Sequence, residues 1–190
     1  MNEPTTGVAL REEELVPLRM DEAAIENVKH NVSMMESAIR SVLEVDIDYG
    51  TVPGIHQPFL FDPGASKVRD FFDTYPKHVV LLHTVEDGMI TIMMEASLIH
   101  RKTGRIVASG VGSCSMEESK YKYRWVDNPE DYGYEKDACR KKVKDGRNGK
   151  YTTYRILNPD ISDLGNTITK LAAKRAEVDA TQNLPGVSTA

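Results

Sequence analysis

The 190-residue chain lacks the features that mark several common classes of protein. Its two cysteines, Cys114 and Cys139, form no CxxC pair and are too few for a disulfide framework, so we expect neither a zinc site nor an oxidised scaffold. No apolar run approaches the roughly 20 residues that cross a bilayer, and no basic-then-apolar signal sequence opens the chain. We therefore expect a cytoplasmic protein with no membrane partner.

Catalytic motifs are also lacking. The nearest approach to a nucleotide-binding phosphate loop is Gly149-Lys150-Tyr151, but Lys144 stands where its first glycine should be and Tyr151 where a hydroxyl should bind magnesium. The five histidines show no HExxH or comparable metal-binding spacing. These absences predict that the protein does not hydrolyse ATP and that its histidines are structural or exposed rather than metal ligands.

Charge is spread unevenly along the chain. The net charge is -5, which by itself disfavours a nucleic-acid partner. Residues 1–48, however, carry 4 basic and 11 acidic side chains, whereas residues 120–155 carry 11 basic and 6 acidic ones. A local basic surface is therefore compatible with the acidic total.

The N-terminal region divides into an arm and a helix. Residues 1–19 contain prolines and a run of glutamates without any sustained period, and they predict a mobile acidic arm. From Asp21 to Val45, apolar residues recur at spacings of three and four, which predicts a long amphipathic helix with Asp21 as its N-cap. Its apolar stripe could pack on a sheet of the same subunit, the favoured interpretation, or on a neighbouring subunit.

A short helix is predicted after Asp62-Pro63, because a capping residue followed by proline commonly starts one. Lys67 and Arg69 should face solvent or a ligand. The residues expected on its buried side are Ala65, Val68, Phe71, Phe72 and Tyr75.

Three strand-like runs follow, at residues 78–85, 89–100 and 105–116. Short polar connections that contain glycine predict an antiparallel meander. Gly110 and Gly112 in the third run indicate a bulge or the close approach of another backbone. The pattern predicts an α+β fold in which a three-stranded antiparallel meander packs with a long N-terminal helix and a C-terminal helix. We expect a single domain over 20–184, a basic, aromatic-rich insertion at 117–157, and a tail at 185–190.

The insertion at 117–157 alternates cations with aromatic rings, as in Lys120-Tyr121-Lys122-Tyr123-Arg124-Trp125. Cations can neutralise phosphates and rings can stack on bases, so the pattern suits single-stranded nucleic acid. A half-exposed hairpin has the same composition, because aromatic residues favour strands and lysine protects sheet edges. Both interpretations stay open at this point.

A C-terminal helix is predicted from Asn158-Pro159, with its main part at 166–180. Lys170 and Lys174 lie one turn apart beside an apolar stripe, so this helix could present cations to an anion. The alternative is a solvated surface helix in which Arg175 pairs with Asp179.

Four carboxylates on or near this helix raise the alternative of a metal-dependent nuclease. Asp160 and Asp163 lie near its start, whereas Glu177 and Asp179 are several turns away, so helical geometry alone predicts no metal cluster.

Several segments together resemble phage and prophage single-strand DNA annealing proteins of the Rad-fifty-two superfamily of recombination mediators. They are Asp48-Tyr49-Gly50-Thr51-Val52-Pro53-Gly54, Pro63-Gly64-Ala65, the meander ending near Ser113-Cys114-Ser115, and the helix from Asn166 to Ala180. The resemblance implies a bacterial host cytoplasm and subunits that assemble into rings or helical filaments. It also implies a compact helix and β-β-β-α core, and a protein that is not an enzyme and consumes no cofactor. Its activity would be ATP-independent annealing of complementary strands during DNA recombination and repair, with a single-strand-binding protein or an exonuclease as further partners.

Carried onto this chain, the resemblance assigns DNA binding to two groups of residues. The candidates are Lys170, Lys174 and Arg175 on the last helix, and Lys120, Lys122, Tyr123, Arg124, Trp125 and Lys150 in the insertion, with Tyr123 and Trp125 as stacking residues. Two other classes of function remain as alternatives: a small metal-dependent nuclease of recombination and a non-enzymatic structural phage protein.

Overall fold

A computed structural model of the chain describes residues 21–51, 57–147 and 149–187. The predicted arm at 1–19 and the last residues of the predicted tail lie outside this range. In chain order the elements are α1 (Glu22–Val42), β1 (Tyr49–Gly50), β2 (Phe59–Leu60), α2 (Asp62–Phe71), β3 (Thr74–Glu86), β4 (Met89–His100), β5 (Ile106–Ser115), α3 (Ser119–Lys122), β6 (Tyr123–Val126), β7 (Arg140–Gly146), β8 (Gly149–Leu157) and α4 (Gly165–Gln182). None of the described helices is long and apolar enough to cross a membrane.

The main sheet is an antiparallel meander in the order β3-β4-β5, and α4 packs on one of its faces. This confirms the predicted α+β fold with its β-β-β-α core. Strand alternation sends every second residue of β4 toward α4, and these residues form the centre of the core. Its members from the sheet and helix are Ile92, Met94, Ala96, Leu98, Cys114, Ile168, Ala172, Ala176 and Ala180.

Helix α4 lies unusually close to β5. A Cβ atom added at Gly110 or Gly112 would lie under 3.0 Å from backbone atoms of Ala180 or Ala176. Since real side chains do not reach such separations, only glycine on the strand and small residues on the helix allow this packing. The predicted close approach of another backbone is therefore confirmed, and that backbone is α4.

Polar side chains of α4 and of its C-cap residue, Asn183, bond to the outer edge of β5. Arg175, Asp179 and Asn183 are spaced by four residues, or about 6 Å along a helix, close to the roughly 6.7 Å between alternate residues of a strand. The three bonds run from Arg175 Nη1 to Ser113 O at 2.5 Å, from Val111 N to Asp179 Oδ2 at 2.8 Å, and from Asn183 Nδ2 to Ser109 O at 2.9 Å. Asp179 therefore caps the strand edge rather than pairing with Arg175.

Helix α1 begins as predicted, because the Asp21 carboxylate accepts a hydrogen bond from Ala24 N at 2.7 Å, but it ends at Val42. Ile39 is its one buried residue. The stripe was expected to pack on the sheet of the same subunit, and for most of its length this expectation is wrong. Exposed members are Ile25 (43%), Val28 (57%) and Val42 (47%).

Arg69 on α2 is buried, so the prediction that it faces solvent or a ligand is wrong. Its guanidinium lies 2.9 Å from the Glu177 carboxylate of α4, which also contacts His78 Nε2 at 3.0 Å. Burial is tolerated because the charge meets an opposite charge. Two residues expected on the buried side, Phe71 and Tyr75, are instead 54% and 41% exposed.

Lys67, the other cation of α2, holds the segment that precedes β1. Its ammonium lies 2.6 Å from the fully buried Asp48 carboxylate, which also accepts a hydrogen bond from Glu44 N at 2.8 Å. The hydrogen bond from Lys67 lowers the pKa of Asp48. This contact fixes the start of the 48–54 segment; residues 52–56 lie outside the described part.

The region 117–157 forms a second antiparallel sheet, in the order β6-β8-β7. The helix predicted to start at Asn158-Pro159 begins later, at Gly165, after a 3-10 turn at Ile161–Leu164. Asn158 has another role, because its side-chain amide donates to Tyr121 O at 3.0 Å and its Oδ1 accepts from Asp160 N at 3.2 Å. Both bonds hold a turn rather than a helix start.

Candidate nucleic-acid interface

The register of the second sheet builds a row of cationic and aromatic side chains. Trp125 on β6 is paired with Arg155 on β8, and Arg155 is paired in turn with Arg140 on β7. Residues directly opposite each other in a sheet project from the same face. An indole and two guanidinium groups therefore lie side by side across all three strands.

Neighbouring positions extend the same chemistry along this face. Lys142 and Lys144 follow Arg140 at spacings of two, and Tyr151 lies opposite Lys144. The Arg155 guanidinium stacks over the Tyr123 ring, 3.8 Å from its centroid. We call the face formed by Tyr123, Trp125, Arg140, Lys142, Lys144, Tyr151 and Arg155 the basic face.

An open depression of about 500 Å³ lies at the Trp125 end of the basic face. Five cations contribute to its lining, and none of the described lining residues is acidic. The lining consists of Ser119, Lys120, Trp125, Arg140, Lys141, Lys142 and Arg155. Such a depression suits an anion attached to a flat ring, which is the chemistry of a nucleotide.

The cations of the depression differ in their existing partners. Lys141 lies 2.8 Å from Asp137, and Lys120 lies 3.5 Å from Glu118. Lys120 also lies 4.6 Å from the centroid of the Tyr121 ring, and its interaction with this side chain raises the pKa of Lys120. Within the described residues, by contrast, Arg140 and Lys142 form no ion pair and are available to a ligand.

A larger depression of about 660 Å³ has a different character. Its two lysines are already neutralised, since Lys136 lies 3.0 Å from Glu130 and Lys141 lies 2.8 Å from Asp137. Glu135 adds a further carboxylate to the lining. The larger depression therefore carries less unpaired positive charge than the depression beside Trp125.

The residues predicted in the insertion are divided by the sheet. Trp125, Tyr123 and Lys120 lie on the basic face or line its depression. Arg124 projects from the opposite face and is paired with Asp160 at 2.7 Å. Lys150 and Arg155 are an odd number of residues apart on β8, so Lys150 also projects from the opposite face, where it is paired with Asp145 of β7.

The remaining prediction in this region, Lys122, lies on α3. Its ammonium is 3.4 Å from the Glu117 carboxylate. Lys122 is therefore partly neutralised and does not belong to the lining of the depression.

The three predicted cations of α4 are not equivalent. Lys170 is exposed and, among the described residues, has no ion-pair partner, whereas Lys174 is paired with Asp62 of α2. Arg175 points in another direction and donates to both carboxylate oxygens of Glu118, at 2.6 and 2.9 Å. Lys170 is thus the cation of this set that is available to a ligand.

Bonding to Arg175 lowers the pKa of Glu118 to about 2, so this ion pair is intact throughout the neutral range. Glu118 also accepts a hydrogen bond from Ser115 N at 3.2 Å. The Arg175–Glu118 pair therefore joins α4 to the end of β5. We infer from its contacts that Arg175 positions these elements.

Five residues of the basic face were not selected as site residues from the sequence: Arg140, Lys142, Lys144, Tyr151 and Arg155. The cations at 140, 142 and 144 are spaced by two, which is the signal of one strand face and could have identified them. No sequence pattern marks Arg155 in this way. It joins the basic face because the strand register places it opposite Trp125 and Arg140, and the sequence does not reveal that register.

Three of the four carboxylates considered for a nuclease, all except Asp163, have different partners. Asp160 pairs with Arg124, Glu177 with Arg69, and Asp179 with the backbone of Val111. The described residues contain no group of three or more His, Cys, Asp or Glu side chains that could hold a metal ion.

Comparison with models of known protein families, with curated proteins and with solved structures finds no match to this chain.

Proposed function

We propose that the protein binds single-stranded DNA and anneals complementary strands without ATP, as a homo-oligomer in phage-type recombination. The observation that carries the proposal is the row Trp125, Arg155 and Arg140 beside a depression without a described carboxylate in its lining. Of its five basic lining residues, Arg140, Lys142 and Arg155 have no ion-pair partner among the described residues. The annealing, recombination and self-association parts of the proposal come from the sequence resemblance to Rad-fifty-two-like annealing proteins.

The chemistry of the basic face fits each requirement of annealing. Guanidinium and ammonium groups offset the phosphate repulsion that keeps two strands apart. An exposed indole offers a stacking surface that accepts any base, because every base has a flat face. A strand held extended in this way meets its complement with less loss of conformational freedom.

Binding to the basic face can be followed directly, because Trp125 is the only tryptophan of the chain. Stacking of a base on its indole should quench the intrinsic fluorescence when oligothymidylate is added. Trp125→Ala should weaken binding by about 1 to 3 kcal/mol, the usual contribution of one stacked base. If oligothymidylate does not quench the fluorescence and Trp125→Ala binds as strongly as the wild type, DNA binds at a site other than the basic face.

The cations are tested by the salt dependence of binding. Each phosphate contact to single-stranded DNA contributes about 0.7 to the slope of log K against log salt. Arg140→Ala with Lys142→Ala should therefore lower the slope by about 1.4, measured by fluorescence anisotropy.

A matched control removes two charges from the β4–β5 connection. Lys102→Ala with Arg105→Ala changes the net charge equally, and both residues are exposed. It should leave the slope unchanged. Equal losses in the two double variants would mean a nonspecific effect of total charge.

A further inference from the structure

The two edges of the main sheet differ in what covers them. On β5, side chains of α4 bond to the backbone of Ser109, Val111 and Ser113, and Glu118 accepts from Ser115 N. These alternate residues are the outward-facing ones of an edge strand. The β5 edge is therefore closed to another strand.

The β3 edge has no comparable cover. Within the described residues, no side chain or backbone group outside the sheet bonds to the peptide groups of residues 77–86. Its exposed side chains are also strongly apolar, which is unusual for an edge that meets only water. They are Val79 (52%), Val80 (54%), Leu81 (49%), Leu82 (43%) and Val85 (60%).

The free part of this edge is self-complementary in charge. It runs from Lys77 to Glu86, because Pro76 lacks an N–H and the turn at Asp87 ends the strand. When this segment pairs antiparallel with a copy of itself, Lys77 of one chain lies opposite Glu86 of the other. Within the described residues neither side chain has an ion-pair partner in the subunit.

The faces of the strand also match in this register. A bulge between Val80 and Leu82 shifts the phase of β3. Lys77 lies opposite Ser97 of β4, and Glu86 lies opposite Met89. Ser97 and Met89 are eight residues apart, an even number, so they project from the same face of the sheet. Lys77 and Glu86 therefore share that face, although their own numbers differ by nine, because the bulge adds one residue to β3. Cross-strand partners must share a face, and here they do.

We propose that the β3 edges of two copies pair antiparallel about a two-fold axis. The contact would join two meanders into one six-stranded sheet whose outer edges are both closed by α4. It would pair the free peptide groups of the two edges and bring their exposed valines and leucines side by side. Two-fold symmetry would form the pair of Lys77 with Glu86 twice. This contact deepens the self-association in the proposed function, rests on that part of it, and involves no DNA.

Charge reversal with rescue tests the register. In DNA-free buffer, analytical ultracentrifugation should find a dimer of the full chain. Lys77→Glu places like charges opposite each other twice, and we expect the dimer dissociation constant to rise about tenfold or more. Glu86→Lys should do the same. The double variant Lys77→Glu, Glu86→Lys should restore dimerisation, whereas Lys102→Glu, on an exposed turn, should have no effect.

Circular dichroism verifies that each variant is folded, which the exposure of both side chains leads us to expect. A monomeric wild-type protein, or a dimer indifferent to both reversals, would overturn the proposal. If each single charge reversal weakens the dimer but the double variant does not restore it, the register that places Lys77 opposite Glu86 is wrong. A dimer that follows this pattern but binds no oligonucleotide would uphold the β3 contact and refute the proposed function.

Discussion

At the scale of single residues, glycine and alanine decide how α4 meets the sheet. Gly112 has no room for a methyl group, because the backbone of Ala176 occupies that space. The resulting proximity brings the polar side chains of α4 within hydrogen-bonding distance of the β5 edge. The small residues at the contact between α4 and β5 therefore explain both the close packing of the helix and the bonds that close the β5 edge.

Replacement of Gly112 by valine should destabilise the fold by about 3 kcal/mol or more, because neither backbone can move away without breaking bonds along β5. Urea unfolding monitored by circular dichroism measures the loss. Gly165→Ala is a control for loss of a glycine, since among the described atoms a Cβ there meets only Ile90 Cδ1, at an ordinary 3.6 Å. Equal stability of Gly112→Val and wild type would contradict the close packing.

At the scale of elements, the Arg175–Glu118 pair joins α4 to the segment that follows β5. The folded-state pKa of Glu118 is about 2, below its ordinary value of 4.5. A depressed carboxyl pKa stabilises the fold above the unfolded-state value, and the stabilisation disappears as pH falls through the folded-state value. This contribution is therefore complete above about pH 4.5 and lost toward pH 2.

Glu118→Gln should consequently reduce stability at pH 7 by roughly 1 to 2 kcal/mol, allowing for the partial exposure of both partners. The difference between this variant and wild type should shrink as pH is lowered from 4.5 to 2. Urea titrations at a series of pH values measure it. A difference that stays constant with pH would mean that the ion pair contributes nothing.

The sequence predicted the helices and strands better than it predicted which surfaces and side chains they contact in the fold. The meander was visible because glycine-containing turns separate three runs that suit strands. Helix α1 was visible from its period, but the period cannot tell which surface receives the apolar stripe, and Ile25 and Val28 are exposed. Arg69 was misplaced for the same reason, since its partner Glu177 lies on a distant element.

The candidate site shows the same limit. All the cations of the 117–157 region look alike in sequence, and only strand register separates Arg155, beside Trp125, from Lys150 on the other face. Arg175 lies in the predicted basic helix, yet its charge is taken up by Glu118. Sequence locates cations, whereas availability to a ligand depends on contacts between elements far apart in the chain.

At the scale of the whole molecule, opposing charges occupy different regions of one chain. The first 48 residues are acidic, and the basic face belongs to a separate sheet. A net charge of -5 therefore coexists with a local site for a polyanion. We propose that this local site, repeated over an assembly, holds a strand ready for its complement.

The most direct measurement is annealing of two complementary labelled oligonucleotides, followed by energy transfer in EDTA without nucleotide. Wild-type protein and the Lys102→Ala, Arg105→Ala control should accelerate annealing, whereas Arg140→Ala with Lys142→Ala should lose most of the acceleration. No acceleration by the wild-type protein, or annealing by the Arg140 and Lys142 variant as fast as by the wild type, would refute the proposed function.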